Sequence, residues 1–244
     1  MRCAPFLRIP ILLLPFCLSV GLQAGEWEFG LLYADAQTEK GSLTSNGTFP
    51  TLPYAIVQNG ISGTWSQGGV QVGYRLLQKG DWGLWIHGQY NEGLAHPAIT
   101  HSGEYHTSVS TEAETFNGTG SIRSSRLSLG LARRFSFGEF GLSLGPRNSS
   151  LSVDGNTLNQ TNGVFSSSHY SASHAYKDTF VAVSFTATQD QGTFRSFQKI
   201  AFGTGFGSTV PTVDPGPSDW KMREAYLAQF RPNREFWFTL GVRL

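Results

Sequence analysis

The sequence predicts an all-β chain: an up-and-down antiparallel barrel, eight strands in number, whose outside meets lipid. Three observations carry this reading. Glycine (29 residues) and aromatics (13%) are plentiful, while charged residues make up 14%, against about 25% in soluble domains. Beyond the N-terminal region, apolar residues recur at period two in short runs, the spacing that puts one face of a strand in an apolar medium. The connections between these runs alternate long and short, as in barrels with short turns at one end and long loops at the other. No later segment reaches the roughly 20 apolar residues of a membrane helix. Backbone polar groups in hydrocarbon must be satisfied internally, so a closed barrel is the remaining way across.

The N-terminal region is expected to be removed. Arg2 and Arg8 flank the start of a nearly uncharged run, Ile9 to Val20, and Leu22-Gln23-Ala24 precedes Gly25. A basic start, a short apolar core and a small residue before the cut describe a secretory signal peptide over residues 1–24, leaving one domain over 25–244. Cys17 invites a lipoprotein reading, but Phe16 stands where a small residue would be expected. Cys3 and Cys17 are the two cysteines, so the mature chain has no disulfide or thiolate site. Losing two arginines takes the formal charge from +1 to −1. No basic excess remains to suggest nucleic acid.

The strands follow in order. Trp27, Phe29, Leu31 and Tyr33 alternate with Glu28, Gly30, Leu32 and Ala34, giving a first strand over Glu26 to Thr38. A Gly-, Ser-, Thr- and Pro-containing loop is expected from Glu39 to Gly63. Val70, Val72, Tyr74 and Leu76 mark the second strand, and Lys79-Gly80-Asp81 a tight turn, glycine supplying the positive φ. Trp82, Leu84, Ile86 and Tyr90 mark the third. Asn91 to Ser121 reads as a long polar loop. Leu127, Leu129 and Leu131 give the fourth strand, Ser136 to Gly138 a turn, and Phe140, Leu142 and Leu144 the fifth. The Ser- and Asn-rich stretch Asn148 to Asp178 reads as a third long loop. Val181, Val183, Phe185 and Ala187 form the sixth strand, Gln189 to Gly192 a turn, and Ile200, Phe202 and Phe206 the seventh.

The eighth strand is the most regular. Phe236, Phe238, Leu240, Val242 and Leu244 are an unbroken apolar set facing lipid, opposite Glu235, Trp237, Thr239, Gly241 and Arg243. This stretch resembles the C-terminal closing strand of bacterial outer-membrane β-barrels, read by the barrel-assembly machinery through its alternate hydrophobics and usually a terminal Phe or Trp. Leu244 departs from that last preference. The resemblance is to the small, eight-stranded opacity- and adhesin-like type. It implies an outer-membrane position among lipids including lipopolysaccharide, external long loops and periplasmic termini. It also implies a structural, adhesive or surface-recognition role without turnover or cofactor, toward a surface ligand the sequence does not name.

Asp219 to Phe230 fits either a strand or a short helix, with Met222, Tyr226 and Phe230 spaced by four. Single-chain bacterial barrels have even strand numbers, so eight strands place this segment in an external loop. The alternative, ten strands, needs an extra strand near Val164 to Ala172.

The inward faces collect a charge network: Glu28, Arg75, His87, Arg134, Glu139, Lys199, Glu235 and Arg243, with Gln71 and Gln89. An eight-stranded lumen is just wide enough for its side chains to fill it, and buried charges must pair. A salt-bridged plug is the expectation, and a narrow small-solute channel the alternative. Trp27, Tyr33, Tyr74, Trp82, Tyr90, Phe135 and Phe236 near strand ends would form two aromatic girdles.

Three motifs point elsewhere. His169-Tyr170-Ser171 resembles the His-x-Ser pair of outer-membrane lipid A deacylases, which would make Ser171 the nucleophile and His169 the base. Ala172 replaces the Asn usual after that Ser, and Val183 stands near the position of the orienting Glu. His96, His101, Glu104 and His106 match no tight metal-ligand spacing, so a polar loop is preferred to a metal site. Gly203, Gly205 and Gly207 precede no helix at phosphate-loop distance, and packing against inward side chains is preferred.

Overall fold

The computed structural model describes residues 25–38, 42–49, 52–59, 64–192, 194–207, 221, 227 and 232–244. Eleven strands are present among them: β1 (Trp27–Thr38), β2 (Ser42–Phe49), β3 (Leu52–Asn59), β4 (Thr64–Lys79), β5 (Trp82–Gly93), β6 (Ala98–Thr107), β7 (Thr111–Phe135), β8 (Gly138–Thr161), β9 (Val164–Asp190), β10 (Arg195–Phe206) and β11 (Pro232–Arg243). Eight of them close a ring in the order β1-β4-β5-β7-β8-β9-β10-β11, with β11 returning to β1. Every pair in it is antiparallel. The fold is an up-and-down eight-stranded barrel.

Closure follows from the alternation. In β11, Glu235, Trp237, Thr239 and Arg243 are buried, while Phe236, Leu240 and Leu244 are exposed and Phe238 and Val242 half-buried on the other face. β11 lies between β1 and β10, with Leu240 beside Leu31 and Gln198. Around the ring the outward positions are apolar: Val70 and Val72 on β4, Leu127, Leu129 and Leu131 on β7, Leu142 and Leu144 on β8, Val183 on β9. So much exposed apolar surface on a folded chain is the exterior of a membrane-spanning barrel. At the short-turn rim Trp27 packs on Tyr74, and Phe135, Phe137, Phe140 and Phe185 form an aromatic cluster. Tyr33, Tyr90, Phe206 and Phe236 stand toward the other rim. In β4 a register shift between Arg75 and Leu77 leaves both Leu76 and Leu77 exposed.

β10 and β11 are hydrogen-bonded neighbours in the ring, so nothing between them inserts as a stave, and the strand count is eight rather than ten. Whether Asp219 to Phe230 is helical lies outside the described residues, apart from Lys221 and Leu227. Residues 1–24, expected from sequence to be a signal peptide, also lie outside them.

The three long loops expected from sequence need correction. Glu39–Gly63 contains the hairpin β2–β3. Asn91–Ser121 contains β6 and the outer half of β7, and Asn148–Asp178 is the paired outer arms of β8 and β9. Val164 to Ala172 is therefore a strand, as the ten-strand alternative required, but it extends β9 and adds no stave. β7 forks: its inner half pairs with β5 and its outer half with β6. Since β6 also pairs with β3, the outer parts form one sheet in the order β2-β3-β6-β7-β8-β9 beyond the barrel. Ser150, Ser152, Asn156, Ser171 and Ser173 lie on its outer face; Phe116, Ile122, Leu151, Val153 and Tyr176 lie on the inner face at period two and are buried, with Ser149 and Thr157 on that same face. That inner face is an apolar core of its own, shared with Ala36, Trp65, Ile99 and Leu227. The turn joining the long arms is Asn162-Gly163, both at positive φ (49° and 85°) between the pair Thr161 and Val164. This is the two-residue turn whose twist matches the flanking strands.

Candidate functional site

Inward-facing positions of the ring meet in the lumen, and their contacts run as a continuous chain along it. Glu28, fully buried on β1, accepts hydrogen bonds from Lys199 (β10), Gln71 (β4) and the Arg243 guanidinium (β11), the last at 3.1 and 3.2 Å. Arg243 also reaches Glu139 at 3.2 Å. His87 Nε2 lies 3.6 Å from the Glu28 carboxylate and 3.4 Å from Lys199 Nζ. From Gln71 the chain continues through Gln89 (2.6 Å) to Arg126 Nε (2.7 Å).

Arg126 opens a second charged layer. It donates to Glu235 at 3.1 Å, as does Asn91 at 3.2 Å, while Arg147 Nη1 stands 3.4 Å from the other carboxylate oxygen. Arg147 also grips Asp178 bidentately, at 3.0 and 2.6 Å, and donates to the Pro232 carbonyl. A fork on two carboxylate oxygens is the strong form of ion pair. Gly205 permits it, because a Cβ there would fall 2.1 Å from the Asp178 carboxylate. Aromatic rings pack between the polar layers: the Arg126 guanidinium lies 4.3 Å from the Phe180 centroid and 4.2 Å from that of Trp237, close enough for cation–π attraction.

Counted by sign, the four cations Lys199, Arg126, Arg147 and Arg243 face the four carboxylates Glu28, Glu139, Asp178 and Glu235. A cavity of about 40 Å³ lies among Gln71, His87, Gln89, Arg126 and Lys199. That is room for a few waters rather than a solute.

Of the eight charged residues picked from sequence, the lumen brings together Glu28, His87, Glu139, Lys199, Glu235 and Arg243. Arg75 sits lower, at the mouth, with Glu26 at 2.7 Å. Arg134 is exposed at the same mouth; its backbone N–H donates to the Asp81 carbonyl at 2.8 Å, while its guanidinium has no hydrogen bond or ion pair among the described residues. Sequence reasoning missed Glu26, Arg126, Arg147 and Asp178. Arg126 was legible by parity from Leu127, Leu129 and Leu131; Arg147 and Asp178 fell at the edges of a supposed loop.

The other motifs are pulled apart or displaced. His169 finds a carboxylate, Asp154 on β8, at 3.3 Å, and Ser171 lies directly across from Asp154 in the strand register. No hydrogen bond joins Ser171 to His169 among the described residues, and the His–Asp pair is about two-thirds exposed on the flat outer face. Ser171 lies ten residues beyond Val181, about 30 Å of strand, so the trio is far from the apolar band where a lipid hydrolase would work. On β6, His101 is buried beside Glu114 (3.8 Å), whereas Glu104 and His106 pair at 2.9 Å on the exposed face. They share no site.

No protein-family model matches the sequence, and no curated protein does. Solved structures do. The attachment invasion locus protein Ail of Yersinia pestis, crystallised with the heparin analogue sucrose octasulfate, aligns over 90% of this chain and 99% of its own, with 12% identity and a TM-score of 0.44. Neisserial surface protein A aligns over 90% and 96%, with 9% identity and a TM-score of 0.39. The outer membrane protein OprG of Pseudomonas aeruginosa aligns over 91% and 96%, with 8% identity and a TM-score of 0.38. The fold assignment itself rests on the strand pairing within this chain.

Proposed function

We propose that this chain is an outer-membrane barrel with a plugged lumen, working by surface recognition through its external sheet and catalysing no reaction. The observation that carries the proposal is where the chain is spent. β7, β8 and β9 run for 24 to 27 residues, more than twice the 9–11 or so that cross a bilayer. The excess builds a six-stranded sheet with its own apolar core, while four cations and four carboxylates fill the lumen. A solute pathway needs the reverse arrangement, an open lumen and dispensable outer arms.

On this reading the recognition surface is the distal tip. Here the β6–β7 and β8–β9 turns lie side by side, tied by hydrogen bonds between Thr111 and Asn162, with the start of β3 beside the end of β6. They expose Leu52, Val109, Val164 and Phe165. On this reading the short turns and both ends of the described barrel face the periplasm, lipopolysaccharide surrounds the apolar band, and the barrel-assembly machinery reads β11. The test is single-channel recording of the refolded protein in a planar bilayer. Folded barrel, verified by heat-modifiable mobility on a gel, is expected to give no discrete conductance steps in molar salt. Regular open-channel steps would favour the channel alternative instead.

A further inference from the structure

The charge balance of the lumen breaks at the short-turn mouth. A cavity of about 280 Å³ opens there between the β7–β8 turn and the ends of β9 and β10, lined by Arg134, Glu139, Thr188, Asp190, Arg195 and Arg243. Two carboxylates line it, Glu139 and Asp190, and Glu26 stands beside Arg195. Glu139 accepts from Arg243 at 3.2 Å, Glu26 is held by Arg75 at 2.7 Å and by Arg195, and Asp190 lies 3.8 Å from Arg195 Nε. Glu139 is the register partner of Arg134 but turns its carboxylate toward Arg243. Arg134 is left as a surplus guanidinium in a concave, mostly polar space with Arg195 opposite it.

We propose that this mouth is a binding site for a phosphate-class anion, held chiefly by Arg134 with Arg195. The chemistry argues for it on three grounds. A planar guanidinium presents paired donors that match a phosphate edge bidentately. Three guanidiniums, Arg134, Arg195 and Arg243, line one cavity against two carboxylates, Glu139 and Asp190, so its lining offers an incoming anion one surplus positive charge. The cavity is several times the size of one phosphate, leaving room for the group that carries it. That group has two possible sources: a phosphorylated solute entering through the mouth, or a phospholipid headgroup from the leaflet at the rim. The rim itself allows the second, because Arg133, next in sequence to Arg134, lies over Trp82 (5.4 Å) and Phe135 (5.1 Å) on the lipid-facing side.

The site is independent of the external-sheet reading, since nothing at the tip enters it. Its test uses the full barrel refolded in uncharged detergent, titrated calorimetrically with inorganic phosphate at constant ionic strength against a chloride control. A parallel arm places the barrel in phosphatidylcholine nanodiscs doped with phosphatidylglycerol and reads retained lipid by native mass spectrometry. Arg134→Gln should weaken phosphate binding by about tenfold or more, the scale set by losing one charge-assisted pair of hydrogen bonds. Lys177→Gln, on the external arm of β9, should leave it unchanged. Both variants should keep heat-modifiable mobility, Arg134 being exposed and unpaired. Saturable phosphate binding identifies a soluble source, and retention of phosphatidylglycerol without phosphate binding a lipid source. Phosphate indistinguishable from chloride together with no retained anionic lipid overturns the proposal, as does wild-type affinity in Arg134→Gln.

Discussion

Glu28→Ala is expected to destabilise the barrel by about 3–5 kcal/mol, the cost of removing one partner from a buried ion network. Glu28 has no exposed surface and accepts from Lys199, Gln71 and Arg243 at once. Without it Lys199 loses its carboxylate, while Arg243 keeps only Glu139. Both cations sit at the 2–8% exposure of the lumen interior, where water cannot replace the lost charge. The measurement is the urea midpoint of refolded protein in detergent or bilayer, followed by tryptophan emission and gel mobility. Lys199→Met in the same chain should recover part of the loss by removing the orphaned cation. An unchanged midpoint in Glu28→Ala would mean that water fills the lumen, and the plug would have to give way to a hydrated channel.

The second large effect is on the other face of the same wall. Leu240→Arg is expected to cost roughly 2–4 kcal/mol, the depth-dependent penalty for a cation on the lipid side of a barrel near the midplane. Leu240 is half exposed and stands beside Leu31, itself 72% exposed, in mid-strand. Folded yield should fall and degraded or periplasmic material accumulate, while Leu240→Phe folds normally. Arginine at the neighbouring Thr239 is no benign control. Thr239 is fully buried, faces Leu32 and Lys199 across the strands, and its methyl closes on the backbone of Gly30. A long cation there would clash in volume and in sign. Normal folding of Leu240→Arg would show that this face does not meet hydrocarbon.

The barrel was legible because alternation in a lipid-exposed strand is stark: lipid demands apolar residues on one side, and a narrow lumen demands small or paired polar residues on the other. Parity alone placed Glu28, His87, Lys199, Glu235 and Arg243 on the inward face, and the even strand rule favoured eight. The outer arms were not legible by the same rule. Their outward face meets water, so Ser, Thr and Asn dominate, and that composition imitates a loop. Signals of strand were nonetheless present. Leu151 and Val153, then Tyr170, Ala172 and Tyr176, keep period two, and Asn162-Gly163 between them is the two-residue hairpin turn. Reading that turn would have brought Arg147 and Asp178 onto facing strands, where their register pairs them. The Asp154 carboxylate beside His169 depends on strand register as well, which single-sequence spacing does not supply. What no local pattern could give is the fork of β7, whose outer half leaves the barrel neighbour β5 for β6.

The central claim is that a plugged barrel presents a large external sheet at the cell surface. Its most direct measurement is labelling of single-cysteine variants with a membrane-impermeant maleimide on intact cells. The sequence has cysteines only at positions 3 and 17, within the region expected to be cleaved, so the background is clean. Phe165→Cys, at the distal tip and 62% exposed, should label on intact cells. Asp81→Cys, in the short turn between β4 and β5, should label only after the outer membrane is breached. Labelling of Asp81→Cys on intact cells with Phe165→Cys protected would turn the barrel over and place the sheet in the periplasm. Labelling of neither before breach would remove the protein from the surface altogether.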